Sequence, residues 1–381
     1  MKRMKVTGKE LALLCGVAAL GTLAFPLGAA ARTVDSVTAT VGSTADTVYS
    51  GETLTVTNGV ESIGNNATGI RAVDDTEVAI GKGIYVHGAN SQYNNSYGVY
   101  GDSGVQVKVG EDIVVESDAG AERVRGIYID GGYGSSISST PDIQVGGNIS
   151  ASGINTIGIY VSGKNANIKV DGNVTASNRN ATGITTGGTG KIYVGGDVIS
   201  SYDNNGTLSF GISVGAGNDS YVEVAGNIVA SGKLTSGVRM GGSGNNKQIK
   251  VGKSVIASGE SSKGIDTNGD GVIAHVMGDV TAIGKNSLGI IVQNDAQIMV
   301  DGDLKASGDG AKGVELRDGS SVTVGKNIEV SGTDAVGINI DNWNVIGSGV
   351  EVNVGGSFIV SGDDSYGIYT GTTRNTPLKV N

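Results

Sequence analysis

The chain has 381 residues and a formal net charge of −10, and glycine alone supplies 66 of those residues. Glycine costs about 1 kcal/mol relative to alanine inside a helix, so this content excludes a helix-rich fold. The three prolines and the lack of a G-x-y register exclude collagen, while the ordered recurrence of hydrophobic residues (38%) argues against low-complexity disorder.

The first 31 residues have the features of a secretory signal peptide. Four basic residues lie within the first nine positions, a largely apolar run from Leu11 to Leu27 follows, and Ala29 to Ala31 supply the small residues that signal peptidase needs. We predict cleavage between Ala31 and Arg32 and hence export; an uncleaved membrane anchor is the alternative. Cleavage would remove four basic residues and one acidic residue, which leaves an acidic, cysteine-free mature chain with a net charge of −13.

Residues 32–50 precede the first clear repeat and are predicted to form a leader or cap. Residues 51–381 consist of one recurring phrase, as in 143–153 (IQVGGNISASG), 222–232 (VEVAGNIVASG) and 298–308 (IMVDGDLKASG). The last apolar residue of the first predicted strand recurs in twelve intervals between Val56 and Val380, an average of 27 residues. A second marker, the glycine before an apolar-x-apolar stretch, keeps the same period from Gly69 to Gly367.

Each repeat unit contains three short stretches of alternating apolar residues separated by turns. A strand this short cannot bury its apolar side alone, so it must pair with its equivalent one coil away. The sequence therefore predicts an all-β fold, a parallel β-helix (solenoid) with three short strands per coil of about 27 residues. Residues i and i+2 of each stretch are expected to point inward and the middle residue outward.

A polar residue follows the first predicted corner in most units. Stacked along one edge, these side chains are expected to form hydrogen bonds from coil to coil; the alternative is that they are ordinary turn residues. The predicted set is Asn148, Asn173, Asp197, Asn227, Asp279, Asp303, Asn327 and Ser357.

The signal peptide, the glycine-, asparagine- and serine-rich repeats of the form V-x-V-G-G-[ND]-[IV]-x-[AV]-S-G, and the absence of cysteine after residue 31 resemble the passenger region of a Gram-negative autotransporter of the adhesin-like kind (type V secretion). The resemblance covers residues 50–381 and implies a right-handed β-helix displayed at the cell surface or released from it. It also implies a C-terminal translocator barrel, and no such series of strands follows the repeats. We therefore expect the chain to be a truncated piece of a longer, monomeric rod-shaped passenger.

Catalytic and metal-binding patterns are sparse. The only histidines are His87 and His275, and no metalloprotease, esterase or Walker motif is present, so no catalytic residues and no cofactor are assigned. Asp266, Asn268 and Asp270 match the start of a calcium loop, but Met277 stands where a bidentate glutamate is needed. Calcium therefore remains a weak prediction, because these residue types are common in turns.

The residue two positions after each marker glycine is predicted to lie in one outward column. Tyr100, Tyr128 and Tyr160 occupy this column in three successive coils, which predicts an exposed aromatic strip of about 10 Å. Tyrosine side chains are amphipathic and suit contact with sugars or proteins. Alternatively, the strip only stabilises the solenoid through cross-strand packing.

Two functions of different classes follow from these patterns. The first is a non-enzymatic exported rod that adheres to a host or bacterial surface protein or glycan; the acidic charge argues against nucleic acid as a partner. The second is a β-helical polysaccharide lyase or hydrolase, which would need carboxylates and a basic group converging on adjacent coils. For that alternative, the long separation between Val109 and Val145 is the first place to look, since it holds Asp118, Glu122, Arg123 and Arg125.

Overall fold

The protein was analysed as a computed structural model that describes residues 30–40, 44–89, 95–118, 123–130, 140–162, 165–202, 208–317, 319–340, 349–370 and 378–381. Within these ranges the structure contains strands and turns but no helix. No described segment therefore forms a helix that could span a membrane. The prediction of an all-β fold is confirmed.

The described strands form three parallel sheets, each of which receives every third strand of the chain. The first sheet contains β1 (Ala31–Val34), β4 (Thr53–Val56), β7 (Glu77–Ile80), β10 (Gln106–Val109), β13 (Asp142–Val145), β16 (Ala166–Val170), β19 (Gly190–Val194), β22 (Ser220–Val224), β25 (Gln248–Val251), β28 (Ile273–Val276), β31 (Gln297–Val300), β34 (Ser321–Val324), β37 (Val350–Val354) and β40 (Leu378–Val380). The second contains β2 (Val37–Ala39), β5 (Val60–Gly64), β8 (Ile84–Gly88), β11 (Ile113–Ser117), β14 (Ile149–Ser152), β17 (Val174–Ser177), β20 (Val198–Ser201), β23 (Ile228–Ser231), β26 (Val255–Ser258), β29 (Val280–Ile283), β32 (Leu304–Ser307), β35 (Ile328–Ser331) and β38 (Phe358–Ser361). The third contains β3 (Thr44–Val48), β6 (Thr68–Ala72), β9 (Asn95–Gly101), β12 (Arg123–Ile129), β15 (Thr156–Val161), β18 (Thr182–Thr186), β21 (Phe210–Val214), β24 (Ser236–Met240), β27 (Lys263–Thr267), β30 (Leu288–Val292), β33 (Lys312–Leu316), β36 (Val336–Ile340) and β39 (Tyr366–Thr370).

The chain is thus a β-solenoid with three strands per coil, as predicted, and each strand pairs with its equivalents in neighbouring coils. The valine markers coincide with the pairing register, for example Val109 with Val145 and Val145 with Val170. The last marker is an exception, because Val380 pairs with Val352 and not with Val354. A shift of two residues keeps the same side chains inward, so the sheet tolerates it.

The core is a continuous stack of β-branched side chains inside the coils. Ile143, Ile168 and Ile192 occupy equivalent inward positions in the first sheet and are at most 2% exposed. Stacking of equivalent residues favours valine and isoleucine because branched side chains pack well on a pleated surface. The core is therefore similar from coil to coil, although some inward positions vary, as where Thr186, Val214 and Met240 follow one another in the third sheet.

The segment predicted as a leader or cap contributes the first described coil. Strands β1, β2 and β3 pair in parallel with β4, β5 and β6, and Arg32 forms a two-bond ion pair with Asp46 at 3.0 Å. Ala31 and Arg32, the predicted cleavage pair, both lie in β1. The signal peptide and its cleavage site remain predictions, and residues 1–29 lie outside the described residues.

The predicted polar edge is a continuous hydrogen-bonded column, which we call the corner ladder. In each step a side-chain oxygen of one coil accepts a hydrogen bond from the backbone N–H of the equivalent residue in the next coil. The steps are Asn148 to Asn173 (2.9 Å), Asn173 to Asp197 (2.7 Å), Asp197 to Asn227 (2.6 Å), Asn227 to Ser254 (3.2 Å), Ser254 to Asp279 (3.0 Å), Asp279 to Asp303 (2.8 Å), Asp303 to Asn327 (3.0 Å) and Asn327 to Ser357 (2.8 Å). Because the donor is a backbone N–H, the ladder residue needs only a side-chain oxygen as acceptor. Aspartate and serine can therefore replace asparagine.

Candidate functional site

The third sheet carries its outward side chains in an unusual pattern around the marker glycines. Alternation breaks at each glycine, so that Gly98 and Val99 are both buried while Tyr97 and Tyr100 both face outward. A Cβ on Gly98 would collide with Ile113 Cγ2 and lie only 2.6 Å from the carbonyl oxygen of Gly126. Glycine is needed here for this close approach.

The break places the residues one before and two after the glycine, positions −1 and +2, side by side on the surface. The Tyr97 and Tyr100 ring centroids lie 5.6 Å apart, and those of Tyr366 and Tyr369 lie 6.0 Å apart. The same two positions form ion pairs in other coils, as between Lys263 and Asp266 or Lys312 and Glu315. The two positions thus form two parallel columns along the sheet, although several of their members, such as Thr182 and Ser236, are buried.

The predicted tyrosine strip is present as a row of stacked rings, but the rings are half-buried and not exposed as expected. Tyr100 pairs in register with Tyr128, and Tyr128 with Tyr160. Successive ring centroids are 5.2 Å apart, with interplanar angles of 34° and 9°. Offset or tilted contacts of this kind contribute about 0.5–1.5 kcal/mol per pair beyond buried area. We call Tyr100, Tyr128 and Tyr160 the tyrosine row.

Arg125 lies against this row from the −1 column. Its guanidinium carbon is 5.1 Å from the Tyr128 ring centroid, 4.8 Å from that of Tyr160 and 6.0 Å from that of Tyr97. The Tyr97 ring also approaches Tyr128 at 5.3 Å. Cation–π contacts strengthen when the cation is desolvated, and Arg125 is only 9% exposed. The tyrosine row, Tyr97 and Arg125 form what we call the Tyr–Arg cluster.

The ionisation of the cluster reflects its partial burial. Burial raises the pKa of Tyr100 to about 12, and the carboxylate of Asp130, which accepts a 3.4 Å hydrogen bond from the Tyr100 hydroxyl, adds to this shift. Burial likewise raises the pKa of Tyr128 and lowers that of Arg125. The phenols of Tyr100 and Tyr128 are therefore neutral hydrogen-bonding groups at physiological pH, and the guanidinium stays charged because its ordinary pKa is far above 7.

Two features of the cluster were not predicted. Tyr97 was missed because strict alternation assigned only one outward position per strand around the glycine. Arg125 was predicted only as one of the charged residues between Val109 and Val145, and not as a partner of the tyrosines. It immediately precedes a marker glycine, as Tyr97 does. Reading the −1 column together with the +2 column would have found both residues.

The other predicted site residues lie elsewhere and do not join the cluster. Histidine His275 is an outward residue, as predicted, and its Nε2 lies 3.0 Å from both carboxylate oxygens of Asp301. His87 Nε2 lies 3.4 Å from Asp118 Oδ1. Of the acidic and basic residues between Val109 and Val145, Glu122 lies outside the described residues.

The calcium-loop residues are only partly brought together. Asp266 is in β27, and its carboxylate forms a 2.7 Å ion pair with Lys263, whereas Asn268 and Asp270 lie beyond the strand and are exposed. The neighbouring corner contains the fully buried Lys247, whose ammonium donates to the carbonyl oxygens of Gly241 and Gly242 at 2.6 and 2.7 Å. Across the described ranges, no group of three or more histidine, cysteine, aspartate or glutamate side chains has metal-binding geometry.

The third sheet also holds a buried carboxylate at Glu315, which is 5% exposed. Burial alone would raise its pKa, but Lys312 at 3.1 Å and Arg317 at 2.7 Å outweigh burial and lower it. Asn339 donates a further hydrogen bond at 3.1 Å. These contacts satisfy the carboxylate and give it a structural role.

Comparison with known proteins gives no relative from which a function could be transferred. No family model, no curated protein and no solved structure matches the chain.

Proposed function

We propose that the protein is a non-enzymatic, exported β-helical rod of the autotransporter-passenger type, which adheres to a host or bacterial surface through the Tyr–Arg cluster. The observation that carries the proposal is the tyrosine row, which concentrates three of the thirteen tyrosines of an aromatic-poor chain in three successive coils. The signal-like first 31 residues support export, and the solenoid supports display of a surface along a rigid axis.

The rings of the row are half-buried, and their hydroxyl groups line one face of the third sheet. Such side chains offer apolar surface and hydrogen-bonding groups together, at little cost in conformational entropy. A row held at coil spacing by the sheet is pre-organised, so binding loses less entropy than it would on a flexible loop.

The proposal is tested by adhesion of the exported chain to cultured host cells, to bacteria and to a glycan array. Replacing Tyr100, Tyr128 and Tyr160 together by serine should abolish adhesion. The matched control replaces Tyr366 and Tyr369 by serine, because this pair has the same −1 and +2 geometry in the last described coil. Unchanged adhesion of the triple variant, with a lower unfolding temperature, would make the row purely structural.

The enzymatic alternative is tested on the same preparation. Incubation with pectin-like and other acidic polysaccharides should release neither new reducing ends nor unsaturated products. Turnover that is lost on replacing His275 or Asp301 would reject the non-enzymatic function and favour the lyase or hydrolase class.

A further inference from the structure

The charge of Arg125 is poorly compensated within the structure. The side chain is 9% exposed, and among the described residues no carboxylate lies within ion-pair distance of it. Its Nε–H is buried and has no hydrogen-bond acceptor. A buried cation without a counter-charge is destabilising, and the ring faces of Tyr128 and Tyr160 offset only part of that cost. An anion placed at the guanidinium would supply the missing partner.

Two further arginines surround the tyrosine row without forming ion pairs in the described part of the chain. Arg71 is exposed and lies 5.4 Å from the Tyr100 ring centroid, and Arg123 is exposed in the same strand as Arg125. The nearby carboxylates are already engaged: Asp130 accepts hydrogen bonds from Tyr100 and Ser162. These three arginines form a patch of cations without ion pairs in the described ranges, beside the carboxylates of Asp102 and Asp130.

The size and shape of the cluster favour a sugar over a protein as the ligand. Two centroid spacings of 5.2 Å extend the row over a distance that matches one or two pyranose rings. A stable protein interface buries roughly 800 Å² on each partner, so a protein ligand would have to contact surface well beyond the row. The row ends at Tyr160, whose neighbour in the next coil is the much smaller Thr185. The stack of rings is therefore not continued at this end of the row.

We propose that the Tyr–Arg cluster binds a carboxylated sugar of an acidic glycan, with the sugar ring packed beside Tyr160 and its carboxylate paired with Arg125. This inference rests on the proposed function, since it assigns a ligand class to the surface proposed for adhesion. Arginine suits the role because its planar fork donates two parallel hydrogen bonds to a carboxylate.

The test is calorimetric titration of the full exported chain with trigalacturonate and with its neutral methyl ester. The acid should bind and the ester should not. Arg125→Gln should weaken binding of the acid about tenfold or more, as expected for loss of a charge-assisted hydrogen bond. Arg125→Lys should lie between, because it keeps the charge and loses the fork. The control is Arg239→Gln, which removes an arginine that lies 5.1 Å from the Phe210 ring outside the cluster.

Several outcomes would overturn the inference. Equal binding of acid and ester would show that the carboxylate is not recognised, and binding of dextran sulfate alone would assign the patch to sulfate. Equal loss in the Arg125 and Arg239 variants would indicate non-specific charge attraction. If Arg125→Gln does not fold, Tyr160→Ser and Arg71→Gln replace it in the same titration. Both variants must then weaken binding of the acid.

The inference and the proposed function can fail separately. Adhesion that depends on the tyrosine row but is not inhibited by trigalacturonate would reject the acidic sugar and leave the adhesive function standing. Adhesion that survives serine at all three row positions would reject the adhesive function of the cluster itself.

Discussion

Leu234 has a backbone conformation that suits asparagine or glycine better than leucine. Its φ is 58°, and it lies at the corner between the second and third sheets, where Asn155 and Asn286 have φ values of 50° and 55°. Asparagine tolerates this left-handed region, because its short polar side chain can form hydrogen bonds with the local backbone. The leucine side chain is also 39% exposed, so it contributes little to the core.

We therefore expect Leu234→Asn to stabilise the protein by about 1 kcal/mol. The measurement is the urea unfolding midpoint of the protein. The reciprocal control, Asn286→Leu, should lower the midpoint by a similar amount. A lower midpoint for Leu234→Asn would mean that packing of the leucine outweighs its backbone strain.

Tyr100 gives a second prediction at the scale of single residues. Its folded pKa of about 12 exceeds the ordinary value of 10.0, so the native state retains this proton where the unfolded state loses it. The stabilising contribution is therefore complete below pH 10 and is lost as the pH rises towards 12. Absorbance titration of the phenolates should show several tyrosines titrating above pH 10, and Tyr100→Phe should remove one group from the part of the curve near pH 12. An unchanged titration curve in the variant would contradict the assignment.

The sequence predicts which residues belong to the outward column of the third sheet. It does not predict how deeply each of them is buried. Equal spacing from the marker glycine predicted that Tyr100, Tyr128 and Tyr160 share one column, and the register confirms it. The same column contains Glu315, which is outward by count yet 5% exposed. Spacing determines which coil equivalents are neighbours, whereas burial depends on the −1 residues and the corner segments, which vary between coils.

At the scale of secondary-structure elements, the corner ladder explains why glycine so often precedes the ladder residue. A Cβ on Gly226 would collide with Asp197 Oδ1, and one on Gly302 would collide with Asp279 Oδ1. The side-chain oxygen of one coil occupies the space that a side chain of the next coil would need. The recurring glycine directly before the ladder residue is therefore the consequence of a hydrogen bond and not only of a sharp turn.

Asp303 allows the ladder bond to be tested against pH. The backbone N–H of Asn327, 3.0 Å from Asp303 Oδ1, lowers the pKa of this carboxyl. Because the folded pKa is depressed, the charged form contributes stability above the unfolded value of 3.8, and that contribution is lost as the pH falls below it. Asp303→Asn keeps the acceptor oxygen and should make the unfolding midpoint less sensitive to acid.

The companion variant Asp303→Ala removes the acceptor and should cost about 1 kcal/mol at pH 7. Urea midpoints of the three proteins at pH 7 and pH 3 distinguish the two effects. Equal midpoints for the alanine and asparagine variants at pH 7 would mean that the ladder bond contributes nothing to stability.

The strands could be predicted because the same pattern recurs in every repeat unit, so that an ambiguous stretch is assigned from its equivalents. A single stretch such as Ile149 to Ser152 is too short for a confident assignment, but its equivalents in the other units gave the strand and its inward residues. The method failed where a unit departs from the average. The average repeat length does not reveal that Val380 pairs with Val352. It also does not reveal the break in alternation at the marker glycines.

The whole molecule is a one-dimensional stack in which each coil contacts its neighbours. Along the first sheet, strands about 4.8 Å apart give a rod of roughly 60 Å. In the last described coil the inward residues lack a following layer: Ile368 is 46% exposed, whereas its partner Ile338 is fully buried. Stability in such stacks is approximately a sum of coil and interface contributions.

This architecture predicts that a whole coil can be removed. Val276 and Val300 are partners in register, so deletion of residues 277–300 joins equivalent positions and places Asp303 on Ser254 in the corner ladder. The shortened chain should fold, keep the Tyr–Arg cluster intact, and measure roughly 5 Å less in small-angle scattering.

The control deletes residues 277–287, which is only part of a coil. This change removes β29, so β28 of the first sheet would lead directly into β30 of the third sheet and the later strands could not stack on their equivalents. That variant should not fold. Equal folding of both deletions would show that coil register does not control assembly.

The break in alternation at the marker glycines separates the residues that maintain the fold from the residues that form the surface. Gly98 and Val99 serve the interior, while the residues at −1 and +2 can be tyrosine, arginine, lysine or glutamate without change to the coil. The outward pair of a coil can therefore differ from the pair of its neighbours while the glycine and the apolar residue beneath it keep the same packing.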